Sequence, residues 1–219
     1  MPRSALTIAE LPAGAAPGFD AHERVVRVRD AASGLHAIIA IHSTHLGPAA
    51  GGVRRWTYAG EADALGDALR LSRAMSYKNA MAGLPAGGGK AVMLADVPKT
   101  PALLAAFGDA VAALDGHYVT VHDVGMTDAD MVAIAARTPH VAGLPVAPGE
   151  AGQGVGGNPG PFTARGVLAG IRAAVAHRLG RADLKGLAIN VQGLGKVGGA
   201  LAQMLAQAGA RLTLADLDA

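Results

Sequence analysis

At 219 residues, 51% apolar and a formal charge of +2, the chain can bury one large core or two modest ones, which excludes wholesale disorder. Nineteen Lys and Arg face 17 Asp and Glu with no dense basic stripe, so no nucleic-acid partner is expected. There is no cysteine, which excludes disulfides and thiolate chemistry; with no apolar run of ~18 residues and no N-terminal apolar h-region, the expectation is a cytoplasmic protein without a membrane partner.

Two strand-like runs, ERVVRVRD and LHAIIAIHS, flank the turn signal Ser33-Gly34. HLGPAAGGVRRW, from His45 to Trp56, reads as a Gly/Pro-rich loop returning to a short apolar stretch. A helix is predicted from Glu61 to Ala82, with Leu65, Leu69, Ser72 and Met75 on one face. AGLPAGGGK breaks it, and AVMLAD follows as a short buried strand. A helix over about Pro101 to Leu114, the strand HYVTVHD and a helix from Asp128 to Arg137, N-capped by Thr127, complete an alternating α/β pattern. The stretch from Ala142 to Pro161 is dominated by Gly and Pro and reads as an interdomain hinge. Beyond it come a helix from Thr163 to Gly180, the strand LAINVQ, the turn GLGKVGG, the helix ALAQMLAQAG and the strand RLTLADLD.

Gly193, Gly195 and Gly198 form G-x-G-x-x-G between an apolar strand and an amphipathic helix. Leu194, Lys196 and Val197 fill the spaces of that turn. The first glycine allows the tight turn, the second admits a pyrophosphate to the backbone, and the third lets helix and strand pack closely. Asp216 closes the next strand, 23 residues after Gly193. A carboxylate there accepts from ribose hydroxyls and repels a 2′-phosphate, which favours NAD over NADP. In a chain with 31 glycines, the other reading is an ordinary βαβ turn ending in a solvated acid.

Lys78 and Lys90 stand in apolar, glycine-rich surroundings. A lysine in a dry pocket near a second ammonium loses its proton more readily and becomes usable as a general base. Asp123, at the end of a strand, could exchange protons with it. Spacing alone allows plainer roles as well: a helix C-terminal cation, a strand-edge charge and a turn acid.

Five blocks in order resemble the leucine/phenylalanine/valine dehydrogenases: HLGPAAGGVRRW, ALRLSRAMSYKNAMAGLPAGGGKAV, HYVTVHDVGMT, GNPGPFTARGV and VQGLGKVGG. The resemblance is closest to the leucine enzymes. It implies an N-terminal α/β substrate and dimerisation domain over residues 1–145, then the start of a Rossmann-type NAD domain over 146–219. It implies that Lys78 grips the substrate carboxylate, Lys90 is the base that activates water, and Asp123 assists proton transfer. Gly51 and Gly52 match backbone lying against the substrate, and Thr163 matches a threonine near the nicotinamide. The reaction implied is reversible NAD-dependent oxidative deamination of an L-amino acid to its 2-oxo acid and ammonia, in a homo-oligomer.

Glutamate dehydrogenases share the lysine arrangement but carry a lysine at the position of Ala50, so an apolar substrate is expected. Leucine-type enzymes usually have Leu at Ala50 and Ala at Val121, so the pocket is reshaped here. His42, His45 and His122 have no necessary part in this scheme and read as structural or surface residues. Family members also extend well beyond this length. That opens a second reading, a truncated and inactive remnant serving only as a binding or assembly module.

Overall fold

The computed structural model describes residues 6–145 and 156–217. They fall into two compact units, divided after Gly157. The first unit is built on a six-stranded sheet ordered β1-β2-β3-β5-β4-β6. Its elements are β1 (Thr7–Glu10), β2 (Arg24–Asp30), β3 (Leu35–Ser43), β4 (Ala49–Trp56), α1 (Glu61–Met81), β5 (Gly87–Leu94), α2 (Pro101–Ala112), β6 (Tyr118–His122) and α3 (Asp128–Ala135). β1, β2, β3 and β5 pair antiparallel in succession, whereas β4 runs parallel to both β5 and β6.

The two faces of this sheet are covered differently. Ala37, Ile39, Ala91 and Met93 point to one side and pack with Leu103, Phe107 and Val111 of α2 and with Met131 and Ile134 of α3. Ile38, Ala40, Val92 and Leu94 alternate to the other side, against Ala64, Leu65, Ala68 and Leu69 of α1. β5 is therefore buried along its whole length, as its unbroken apolar run requires. Burying a side chain the size of Phe107 or Leu103 contributes about 1.5–3 kcal/mol. α2 starts at Pro101 behind Thr100, whose side chain accepts from the Leu103 amide, and α3 starts behind a capping box of Thr127 and Asp130. The arginines of β2 are neutralised: Arg24 pairs with Glu10 at 2.7 Å, and Arg27 and Arg29 both pair with Glu61 in the first turn of α1.

Three segments differ from the sequence expectation. HLGPAAGGVRRW is mostly strand, because Ala49 to Trp56 pair with β5 and Ala49 to Val53 pair with β6 as well. Its glycines do not break it; they let neighbouring backbone approach. β5 likewise begins at Gly87 rather than after Lys90, so the triple glycine and Lys90 lie inside the strand. β1 is an additional edge strand that the polar N-terminal sequence did not suggest.

The second unit contains α4 (Gly160–Leu179), β7 (Ala188–Gln192), α5 (Gly198–Gln207) and β8 (Arg211–Ala215). β7 and β8 pair parallel across α5, the opening strand–helix–strand unit of a Rossmann-type fold. α4 lays Leu168, Ile171 and Val175 on the shared core, while Val167 stays exposed, and Gly180 ends the helix in a left-handed cap. The chain is thus an N-terminal α/β domain followed by the start of a Rossmann-type domain. Residues 146–155, the centre of the expected hinge and the expected domain boundary, lie outside the described residues. No described helix is long and apolar enough to cross a membrane.

Candidate active site

α1 lies over β5 and β3 and reaches β4 only at its rim. Among the described residues of this unit no helix covers the same face of β4 and β6, and the charged residues gather there. Lys90, in register with Val92 and Leu94, projects from β5 toward this side, and its side chain is only 7% exposed. Asp123 follows β6 directly, and its Oδ2 accepts a hydrogen bond from Lys90 Nζ at 2.5 Å. β4 runs between their two strands. The pair closes across Gly52, where a Cβ would stand 2.6 Å from Asp123 Cβ and 3.3 Å from Lys90 Nζ.

Burial pulls the Lys90 ammonium below the ordinary lysine range, against the raising pull of Asp123. For Asp123, burial acts upward but loses to the Lys90 charge and hydrogen bond, the Val124 amide and Arg54, so its carboxyl sits below the usual carboxylate value. The outcome is an ionised carboxylate holding a lysine that gives up its proton more easily than usual.

The surrounding residues are set by the same strands. Val121 of β6 pairs with Gly52, and Ala50 of β4 pairs with Val119; Ala50 and Val121 are both partly exposed. A Cβ at Gly51 would lie 1.7 Å from the Gly89 carbonyl oxygen, so β4 and β5 close up only with glycine there. Asn79 of α1 donates to the carbonyls of Ala50 at 3.2 Å and Gly87 at 2.6 Å. Tyr118, beneath the site, donates to the Gly51 carbonyl at 2.7 Å.

Lys78 differs from the expectation of a dry environment. It is exposed in the last turn of α1 and has no ion-pair partner among the described residues. The buried stripe of α1 passes through Leu65, Leu69, Ser72 and Asn79, and Lys78 stands about 100° round the helix from Asn79. Its ammonium therefore meets solvent at the helix C-terminus, where the macrodipole favours it.

Arg54, Asp67, Tyr58 and Asn79 join the site without having been singled out in the sequence. Arg54 had no legible signal, since it shares the face of Gly52 only because that segment is a strand, and the sequence read it as a loop. Asn79 had one, seven residues after Ser72 on the buried stripe. His122 Nε2 donates to the Met126 carbonyl at 2.6 Å, and His42 meets Ser76 Oγ at 2.8 Å, while His45 is exposed.

In the second unit, Gly193 to Gly198 form the turn between β7 and α5. Gly193 has φ +89°, and a Cβ at Gly198 would meet the Gly193 carbonyl at 1.8 Å, whereas one at Gly195 would meet nothing within 4 Å. The middle glycine thus faces open space above an α5 N-terminus that has no side-chain cap. Asp216, just past β8, accepts from the Leu194 amide, which ties the strand-end acid to the turn. Leu194 and Val197 pack on the unit's core. Thr163 is exposed on α4 and donates to the Pro159 carbonyl at 3.1 Å; the start of α4 abuts the turn, since Gly160 would clash with the Lys196 carbonyl if it carried a Cβ. These residues fit a dinucleotide: an uncapped helix start for the pyrophosphate and a carboxylate at the strand end for a ribose.

Comparison with known proteins places the chain in the class of NAD-dependent amino-acid dehydrogenases. Residues 22–140 match the Glu/Leu/Phe/Val dehydrogenase dimerisation domain, and the chain belongs to that family. It is 46% identical over 199 residues to leucine dehydrogenase of Geobacillus stearothermophilus, covering 90% of this chain and 53% of that protein. It is 48% identical over 198 residues to valine dehydrogenase of Streptomyces virginiae, covering 90% and 54%. Among solved structures it is similar to L-tryptophan dehydrogenase from Nostoc punctiforme, with a TM-score of 0.62, 42% identity, and coverage of 90% of this chain and 54% of that one. The chain spans about half the length of the curated relatives it matches.

Proposed function

We propose that the complete protein catalyses reversible NAD-dependent oxidative deamination of an apolar, leucine-like L-amino acid. The observation that carries this reading is the buried Lys90–Asp123 pair, closed across Gly52 at 2.5 Å. NAD, when bound, accepts the hydride that leaves the substrate α-carbon. Lys90, in its neutral form, takes a proton from the water that attacks the resulting imine carbon, and Asp123 passes protons between Lys90 and the departing amine. Amino acid, NAD and water become 2-oxo acid, ammonia, NADH and one proton.

Lys78 holds the substrate carboxylate in this scheme, with the Gly51 and Gly52 backbone against the substrate. Its exposure in the isolated unit suits a cation that meets its anion only when substrate arrives. Ala50 and Val121 shape an apolar pocket, and Ala50 offers no cation for a side-chain carboxylate. Gly193, Leu194, Gly195, Lys196, Val197 and Gly198 hold the pyrophosphate, Asp216 the ribose, and Thr163 stands near the nicotinamide. The substrate domain covers 1–145 and the NAD domain begins at 146. The working form is a cytoplasmic homo-oligomer.

For the 219 residues taken by themselves, the span of about half of each curated relative favours a second reading: binding and assembly without turnover. NADH formation from leucine, valine, phenylalanine and glutamate, measured on this chain and on a full-length form with Lys90→Ala controls, separates the readings. Turnover of an apolar amino acid that disappears in the control supports the dehydrogenase, and turnover of glutamate alone overturns the apolar assignment. Binding of a 2-oxo acid by this chain with no NADH formed supports the binding module.

A further inference from the structure

Asp123 Oδ2 faces a second cation besides Lys90. Arg54 Nε lies 3.4 Å from the same oxygen, a separation at which it acts more as a charge than as a strong hydrogen bond. Its guanidinium is anchored from behind, because Nη1 donates to Asp67 Oδ2 at 2.9 Å. Asp67 is itself fixed by the Tyr58 hydroxyl at 2.7 Å and by Arg70 at 2.5 Å. Arg54 is thus held toward α1, not toward the uncovered face of β6, and its side chain is only 24% exposed.

We propose that Arg54 is a positioning residue that holds Asp123 ionised and shares its carboxylate with Lys90, so that Lys90 is free to act as a neutral amine. Two cations on one carboxylate repel each other, and a guanidinium does not give up its proton in a protein. The repulsion is relieved only when Lys90 loses its own. The Arg54 charge acts on Lys90 in that direction, while Asp123 and Asp67 act the other way. Arg70 lies beyond Asp67, and the Tyr118 hydroxyl under the site is committed to the Gly51 carbonyl. The inference rests on Lys90 being the base.

Competitive acetylation of the 219-residue chain across pH, with Lys90 read against the exposed Lys185 by mass spectrometry, tests it without any need for turnover. In Arg54→Gln the Lys90 midpoint moves to higher pH, and its labelling at neutral pH drops roughly tenfold, the factor that accompanies one pKa unit. Arg54→Lys, which keeps the charge, stays close to the wild type. Arg54→Met, similar in length, carries the same test if the Gln variant does not fold. An unmoved midpoint in a folded charge-free variant overturns the proposal and leaves Arg54 as a plain tie between β4 and α1. A wild-type Lys90 that titrates like an ordinary lysine overturns instead the assignment of Lys90 as the base.

Discussion

Lys90 and Asp123 meet at 2.5 Å although β4 separates the strands that carry them. Contact across an intervening strand requires that strand to present no side chain, and Gly52 meets the requirement. A methyl group there would stand 2.6 Å from Asp123 Cβ, so the carboxylate must move. Gly52→Ala is expected to leave the fold intact, since no helix among the described residues of this unit covers that face of β4 and β6, but to part the pair. Misplacing a catalytic group by about 1 Å costs roughly 10²-fold in rate. Steady-state kinetics of the full-length variant should show that loss in kcat with little change in melting temperature; an unchanged kcat would mean the pair is not needed in this geometry.

Removing the Asp123 charge should shift Lys90 opposite to Arg54→Gln. Asp123 raises the lysine pKa and opposes the dominant effect of burial. In Asp123→Asn the Lys90 midpoint therefore falls, while catalysis drops because the proton partner is gone. General acid–base contributions are typically 10²–10⁴-fold, which sets the expected loss. Combining the pH profile of labelling with turnover distinguishes this from simple unfolding, which would make Lys90 titrate like any exposed lysine.

Asn79 ties three elements with one amide, from α1 to β4 through Ala50 and to the start of β5 through Gly87. Its side chain is buried among carbonyl oxygens, so Asn79→Ala leaves acceptors without a donor, at a cost of about 1–3 kcal/mol. Asn79→Asp should cost more, because a carboxylate repels those carbonyls and cannot donate while ionised. Denaturant midpoints of the two variants give the order directly; equal midpoints would show that the amide's donors are dispensable.

Much of this architecture was legible in the residues because local signals agreed with tertiary ones. The stripe of α1, the Thr127 cap and the G-x-G-x-x-G turn each follow from spacing, and the structure bears them out. β4 was hidden because Gly-Gly beside Pro suggests a loop, and only pairing on both sides makes that segment a strand. The same cause displaced the start of β5. Lys90 and Asp123 could be named from sequence and a proton exchange between them expected, but not how they meet, since that depends on strand order and on a missing Cβ in a third strand. Lys78 shows the reverse: its apolar neighbours in sequence are not its neighbours in space, because one step round the helix separates it from the buried stripe.

A last consequence concerns pH and stability at the cluster behind α1. His22 and His42 pack edge to face with centroids 4.9 Å apart. Asp20 lies 3.3 Å from His22 Nδ1 and 3.8 Å from His42 Nε2, and Arg73 reaches Asp20 at 3.0 Å. Burial, His22 and Arg73 lower the His42 pKa, against the raising pull of Asp20 and Glu23. A histidine that resists protonation when folded binds more protons unfolded, so stability falls with pH from about 6.5 down through its folded pKa. Below that point both states are protonated and this loss is complete. Glu23, whose carboxyl is held below its usual range by Thr44 and Ser43 despite burial, adds a separate loss only as pH drops through the carboxylate range. His42→Gln should therefore flatten the melting-temperature profile just below about pH 6.5 and leave the steeper acid limb in place. A profile as steep in that window as the wild type's would assign the loss to other groups.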